Sequence, residues 1–119
     1  MPDRAALAAA HCRPLGADAR LAGAKLAERL RALPQWHVQG EAIVRRYAFD
    51  DYHRTMAFVN AVAEVAHAED HHPEMTVAYD HCTVLYSTHS AGGVTDNDLI
   101  CAAKADAVYE HLEPARAGR

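Results

Sequence analysis

The sequence predicts an α+β domain: a four-stranded antiparallel sheet with three helices on one face, in the order α-β-β-α-β-β-α. Three observations predict it. Short β-branched and aromatic segments come in two pairs, each pair joined by only a few turn-forming residues. A long stretch with apolar residues at three- and four-residue spacing separates the pairs. Proline or glycine interrupts the chain after the first helix, after the second and before the third.

Residues 1–14 read as a flexible, alanine-rich arm, residues 15–113 as one domain and residues 114–119 as a polar tail. A first helix is expected from about Asp18, with Leu26, Leu30 and Leu33 on one face, ended by Pro34. "WHV" and "EAIVRRYAF" follow as strands, with Gln39-Gly40 as a hairpin signal. In the second strand Ile43, Arg45, Tyr47 and Phe49 share one side, and Val44, Arg46 and Ala48 the other. Asp50 or Asp51 caps a long second helix reaching about Asp70. Its apolar stripe is Tyr52, Met56, Val59, Val62 and Ala66, flanked by Phe58 and Val65. Pro73 forbids continuation and pushes His72 into an extended conformation. The strands "EMTVAY" and "CTVLYSTH" meet tightly at Asp80-His81, and the loop "SAGG" leads to Thr95, which opens a third helix carrying Ile100, Ala103 and Ala107 on one side.

Composition bounds the function. With 12 basic and 16 acidic residues the net charge is −4, and no basic run marks a nucleic-acid or anionic-membrane surface. No stretch approaches the roughly 20 apolar residues of a membrane helix, and the N-terminus lacks a secretory pattern, so a cytoplasmic location is expected. Three cysteines without a Cys-x-x-Cys spacing disfavour a disulfide framework or a cysteine zinc site. Cys82 and Cys101 fall in apolar periodic segments and read as core residues, Cys12 as a free thiol in a loose arm.

The anomaly is nine histidines. His71 closes the second helix and His72 stands just beyond it. The negative end of the helix and the neighbouring Glu69 and Asp70 favour the imidazolium form of His71. A histidine is the side chain best placed to exchange a proton near neutrality, although a solvated helix-end histidine is the ordinary case. His89 ends the fourth strand, sharing strand parity with Leu85 and Ser87, and precedes Gly92-Gly93. Asp98 has two readings: with Thr95 it completes a capping box, or its carboxylate orients a histidine. A metal site is the competing chemistry. His67 and His71 are four apart on a helix, with His72, His81 or His89 to complete a set, but the turn at Pro73 and the lack of a His-Glu-x-x-His arrangement count against it.

The run "HAEDHHPEMTVAYDHCTVLYSTHSAGGVTDND" resembles the signature of the pterin-4a-carbinolamine dehydratase family: His71-His72-Pro73, then Tyr79, His89 and Asp98 at that family's intervals. The likeness extends upstream through "EAIVRRYAFDDYHRTMAFVNAVAEVA" and spans roughly Trp36 to Ala107. Met75 departs from it, standing where some members carry an aromatic. The resemblance implies dehydration of 4a-hydroxytetrahydropterin to quinonoid dihydropterin and water by general acid-base catalysis, recycling the pterin of an aromatic amino-acid hydroxylase. It implies a proton-transfer pair, His71 and His89, with His72 orienting the pterin and Asp98 steadying His89. Pro73, Glu74, Ser87 and Thr88 are implied as further substrate contacts. No cofactor or metal is implied, the pterin being substrate, and assembly as a homodimer or homotetramer is. An alternative carried by some members is a non-catalytic dimerisation or assembly role through the second helix.

Overall fold

The computed structural model describes residues 2–117. Strands β1 (His37–Gln39), β2 (Ala42–Ala48), β3 (Glu74–Val77) and β4 (His81–Tyr86) form one antiparallel sheet in the order β1-β2-β4-β3. Helices α3 (Tyr52–Glu69) and α4 (Asp96–Leu112) pack together against one of its faces. The α+β class and the central β-β-α-β-β-α order agree with the sequence reading.

Register sets the core. The pairs Ile43↔Tyr86, Arg45↔Val84 and Tyr47↔Cys82 point to the helices, while Val44↔Leu85 and Arg46↔Thr83 point away. Ile43, Tyr47, Cys82, Val84 and Tyr86 are accordingly buried, and with Phe49, Phe58, Val62 and Leu99 they make the core. The β1–β2 link is the two-residue loop Gly40-Glu41, with Gly40 at φ +60, the position where a type II′ hairpin wants glycine.

A buried carboxylate lies within this core. Asp106 Oδ1 accepts from Trp36 Nε1 (3.1 Å), the Tyr47 hydroxyl and Arg45 (2.7 Å), whose guanidinium lies 4.3 Å from the Tyr47 ring centroid. Burial, then the Asp106 charge, pushes the Tyr47 hydroxyl well up, so it remains a donor.

Several elements differ from expectation. The N-terminal arm contains a helix, α1 (Arg4–Ala9), capped by Asp3 and packed on α4 through buried Leu7. Met1 lies outside the described residues. The helix expected from Asp18 is broken: a 3-10 turn at Ala17–Ala19 gives way to a backbone bridge between Leu21 and Val94, and α2 (Gly23–Arg29) starts only afterwards. On α3 the buried line is Thr55, Phe58, Val62 and Ala66, whereas Tyr52 is exposed. The centre moves because Thr55 turns inward and donates to the carbonyls of Asp51 and Tyr79. Helix α4 is buried nearly all round, being covered by α1 on one side and by the sheet and α3 on others, although Ala107 is exposed. The tail begins as a short helix, α5 (Pro114–Ala117); its last two residues lie outside the described range.

Candidate active site

His71 is placed by the end of α3. Asp70 adopts a left-handed conformation (φ 50), the His67 carbonyl accepts the Asp70 N–H and the Ala66 carbonyl accepts the His71 N–H. This is a Schellman closure, in which a left-handed residue just past the helix satisfies its last carbonyls. The residue after the turn, His71, then points back toward the start of α4.

The same short region receives Asp98. Thr95 caps α4 and Asp98 reaches back to accept the Thr95 N–H (2.9 Å), a complete capping box. The carboxylate is fully buried and has further partners. Oδ2 also accepts from the Thr88 hydroxyl (2.7 Å), and Oδ1 lies 2.6 Å from His71 Nε2. Thr88 and Thr95 share a hydroxyl–hydroxyl bond of 2.7 Å. Capping and histidine orientation, two separate readings of Asp98, coexist in one carboxylate.

The oriented histidine is His71, not His89. The chain leaves β4 at Tyr86, pairs Thr88 with Gly93 through backbone bonds, and folds His89–Ala91 into a 3-10 turn closed by Gly92 at φ +70. Thr88 therefore faces Asp98, and His89 is carried outward, exposed and no longer in a strand.

The imidazolium form of His71 is favoured, but for a different main reason than helix-end charge. The bond to Asp98 raises its pKa most, against partial burial; the charges of Asp98, Cys12 and Asp70 add to the rise. The Glu69 carboxylate turns to the N-terminal segment and to Lys104. Oε1 accepts the Cys12 N–H (2.7 Å), and Oε2 lies 2.8 Å from His11 Nδ1 and 3.7 Å from Lys104 Nζ. Burial pushes the Glu69 carboxyl up, but those donors together outweigh it and hold it below its ordinary value. The His71 ring lies parallel to that of buried Tyr86, 6.0 Å between centroids.

These groups open on a cleft of about 330 Å³, lined by His71, Thr88, Ser90, Asn97, Glu69 and Asp70 and walled by Cys12 to Leu15. The wall is an N-terminal strap pinned at several points. Asn97 accepts the Arg13 N–H (3.1 Å) and donates to its carbonyl (2.6 Å), and Ser90 donates to the Leu15 carbonyl (2.7 Å). Sequence reasoning missed this wall, because alanine-rich composition hid Asn97 and Glu69 as anchors. Of the residues the resemblance implied, His71 and Thr88 line the cleft, with Asp98 behind them. His72 and Glu74 are exposed and Pro73 is half-buried, all in the stretch leading from His71 into β3. The Ser87 hydroxyl donates to the Glu41 carbonyl on the β1–β2 hairpin, outside the cleft lining. Tyr79 is exposed, its carbonyl held by Thr55. Among the described residues no three His, Cys, Asp or Glu side chains converge as metal ligands would. No helix among them is long and apolar enough to cross a membrane.

Residues 19–108 match the family described as Pterin 4 alpha carbinolamine dehydratase. The chain belongs to this family. Relatives named "Putative pterin-4-alpha-carbinolamine dehydratase" include one from Xylella fastidiosa (strain 9a5c), 50% identical over 113 residues, covering 92% of this chain and 97% of that protein. Another, from Stenotrophomonas maltophilia (strain K279a), is 50% identical over 115 residues, covering 94% of this chain and 99% of that protein. The crystal structure of a transcriptional coactivator/pterin dehydratase from Brucella melitensis superposes with a TM-score of 0.71 at 41% identity, covering 75% of this chain and 97% of that one. A pterin dehydratase-like protein identified as a RuBisCO assembly factor in the alpha-carboxysome shares the fold, with a TM-score of 0.52 at 20% identity over 61% of this chain and 84% of that one. The family match begins after the strap, so the Cys12–Leu15 wall lies outside it.

Proposed function

We propose that the protein dehydrates a 4a-hydroxytetrahydropterin to the quinonoid dihydropterin and water, with His71 as the general acid. The observation that supports this most is the His71–Asp98 pair opening on a cleft within a pterin dehydratase family domain. Loss of the 4a-hydroxyl is hastened by protonating it, while a neighbouring ring nitrogen gives up a proton. Asp98 occupies His71 Nε2, which leaves Nδ1 as the nitrogen that delivers the proton. The buried carboxylate keeps the imidazole charged until it does so. His89, on the exposed turn between the cleft residues Thr88 and Ser90, is assigned the opposite proton transfer, and His72 the orientation of the pterin. General acid-base help of this kind is worth on the order of 10²–10⁴-fold.

Stopped-flow dehydration of freshly generated 4a-hydroxytetrahydropterin tests the reading. Replacing His71 and His89 together is expected to lower the rate at least about 100-fold. A double variant turning over at the parent rate would remove the catalytic assignment. A purely protein-binding role through α3 predicts the converse, with turnover kept in the parent at no more than the uncatalysed rate.

Assembly as a homodimer or homotetramer belongs to the same proposal. Val38 and Val77 point to the core side by register but are exposed, on the two edge strands β1 and β3. Unpaired apolar edges favour pairing with a second copy.

A further inference from the structure

Outside the proton-transfer groups, two thiols meet beneath the strap. Cys12 Sγ lies 3.4 Å from Cys101 Sγ, although the residues are separated by 89 positions in sequence. Both are free thiols. Cys12 lines the cleft and is partly exposed, while Cys101 is buried in α4, one turn after Asn97. The third cysteine, Cys82, is buried on β4 on the core side and has no thiol neighbour among the bonds of the described residues.

We propose that Cys12 and Cys101 are a peroxide-sensitive dithiol whose disulfide fastens the N-terminal strap to α4 along one wall of the cleft. The strap already holds the two sulfurs in register. Glu69 accepts the Cys12 N–H, and Asn97 clasps both backbone groups of Arg13. Only a short approach separates 3.4 Å from the bonded distance of about 2.05 Å. The two thiols are also differentiated as attacking and resolving partners. A hydrogen bond with Cys101 holds the Cys12 thiol below its ordinary value, against burial, and the His71 charge helps; the shared bond and burial push Cys101 well up. Cys82, raised to about 11 by burial, is the unreactive one.

The chemistry balances with hydrogen peroxide as oxidant. The Cys12 thiolate attacks one peroxide oxygen, the O–O bond breaks and the departing hydroxide takes up the proton the Cys12 thiol had released, giving a sulfenic acid and the first water. Cys101 sulfur then attacks Cys12 sulfur. The S–O bond breaks, and the departing hydroxide takes the Cys101 proton as water. Two thiols and one peroxide become one disulfide and two waters, the sulfurs oxidised and the peroxide reduced. This step stands on the thiol geometry and is independent of the reaction assigned to the cleft.

The test uses the purified, fully reduced chain treated with a few equivalents of hydrogen peroxide, then alkylated and mapped by non-reducing peptide mass spectrometry. The expected product is an intrachain Cys12–Cys101 peptide, reversed by dithiothreitol, with Cys82 still alkylated. C101S is expected to stop at a Cys12 sulfenic acid trapped by dimedone, which the parent escapes. The oxidised parent should melt several degrees higher than the reduced one, because the new bond closes a long loop. Cys12 recovered as a free thiol, Cys12 joined to Cys12 of a second chain, or equal dimedone trapping in parent and C101S would each overturn the proposal. So would an intrachain bond that leaves the melting temperature unmoved, since the strap would then not be fastened by it.

Discussion

His71 and Asp98 carry the sharpest residue-scale expectations. The carboxylate raises the imidazole's pKa, so removing its charge lowers it. D98N is expected to cut kcat/KM for the pterin carbinolamine by roughly 10- to 100-fold. It should also move the alkaline limb of the pH profile to lower pH, because protonated His71 is then lost earlier. A pH–rate profile of both proteins checks this; a limb that stays in place would separate Asp98 from the acid. The same pair links stability to pH. A histidine whose folded pKa lies above its unfolded value stabilises the fold fully below the unfolded value of about 6.5, and the contribution is lost as pH rises through the folded value. The stability difference between parent and H71Q, from urea unfolding, is therefore expected to be larger near pH ~6 and to shrink as pH rises through the raised folded value of His71.

At the scale of elements, two helix ends build the site and each has a measurable cost. Thr95 caps α4 and bonds Thr88, so T95A should lose about 1 kcal/mol or somewhat more in urea unfolding. T95S, which keeps the hydroxyl, should retain most of it. Asp70 sits at a positive φ that favours glycine. D70G is expected to stabilise the protein by about 0.5–1 kcal/mol. It also removes a charge that helps to raise His71, so a small fall in the alkaline limb should accompany the gain. A thermal melt and a rate profile on one variant read both effects.

For the whole molecule, the buried Asp106 ties α4 to β2 and to the segment entering β1, through Arg45, Tyr47 and Trp36. D106A strands the Arg45 guanidinium, mostly buried, without its partner. A loss of about 3 kcal/mol or more is expected in equilibrium unfolding, with the cleft chemistry of the folded fraction unchanged. At the level of assembly, sedimentation is expected to give a species heavier than the 13.0 kDa chain. A single 13.0 kDa boundary would remove the edge-pairing argument.

Much of the fold was legible along the chain because its signals are local. Pro34 and Pro73 cannot continue a helix, Gly40 suits its hairpin turn, and alternation from Ile43 to Phe49 has a period of two whatever surrounds it. The capping box was likewise readable, since Thr95 and Asp98 meet within one helical turn. The order of the central elements, the candidacy of histidines and Asp98 for one site, and the family resemblance therefore follow from sequence by itself. Tertiary structure alone decided which histidine Asp98 holds, because His71 and His89 reach it from different elements, and the turn after Thr88 swings one of them away. It alone seated the alanine-rich N-terminus as a helix and a strap, through anchors at Glu69 and Asn97 that lie dozens of residues away and leave no mark on local pattern. The same distance in sequence hid the meeting of Cys12 with Cys101, since two thiols become neighbours only when the chain between them has folded.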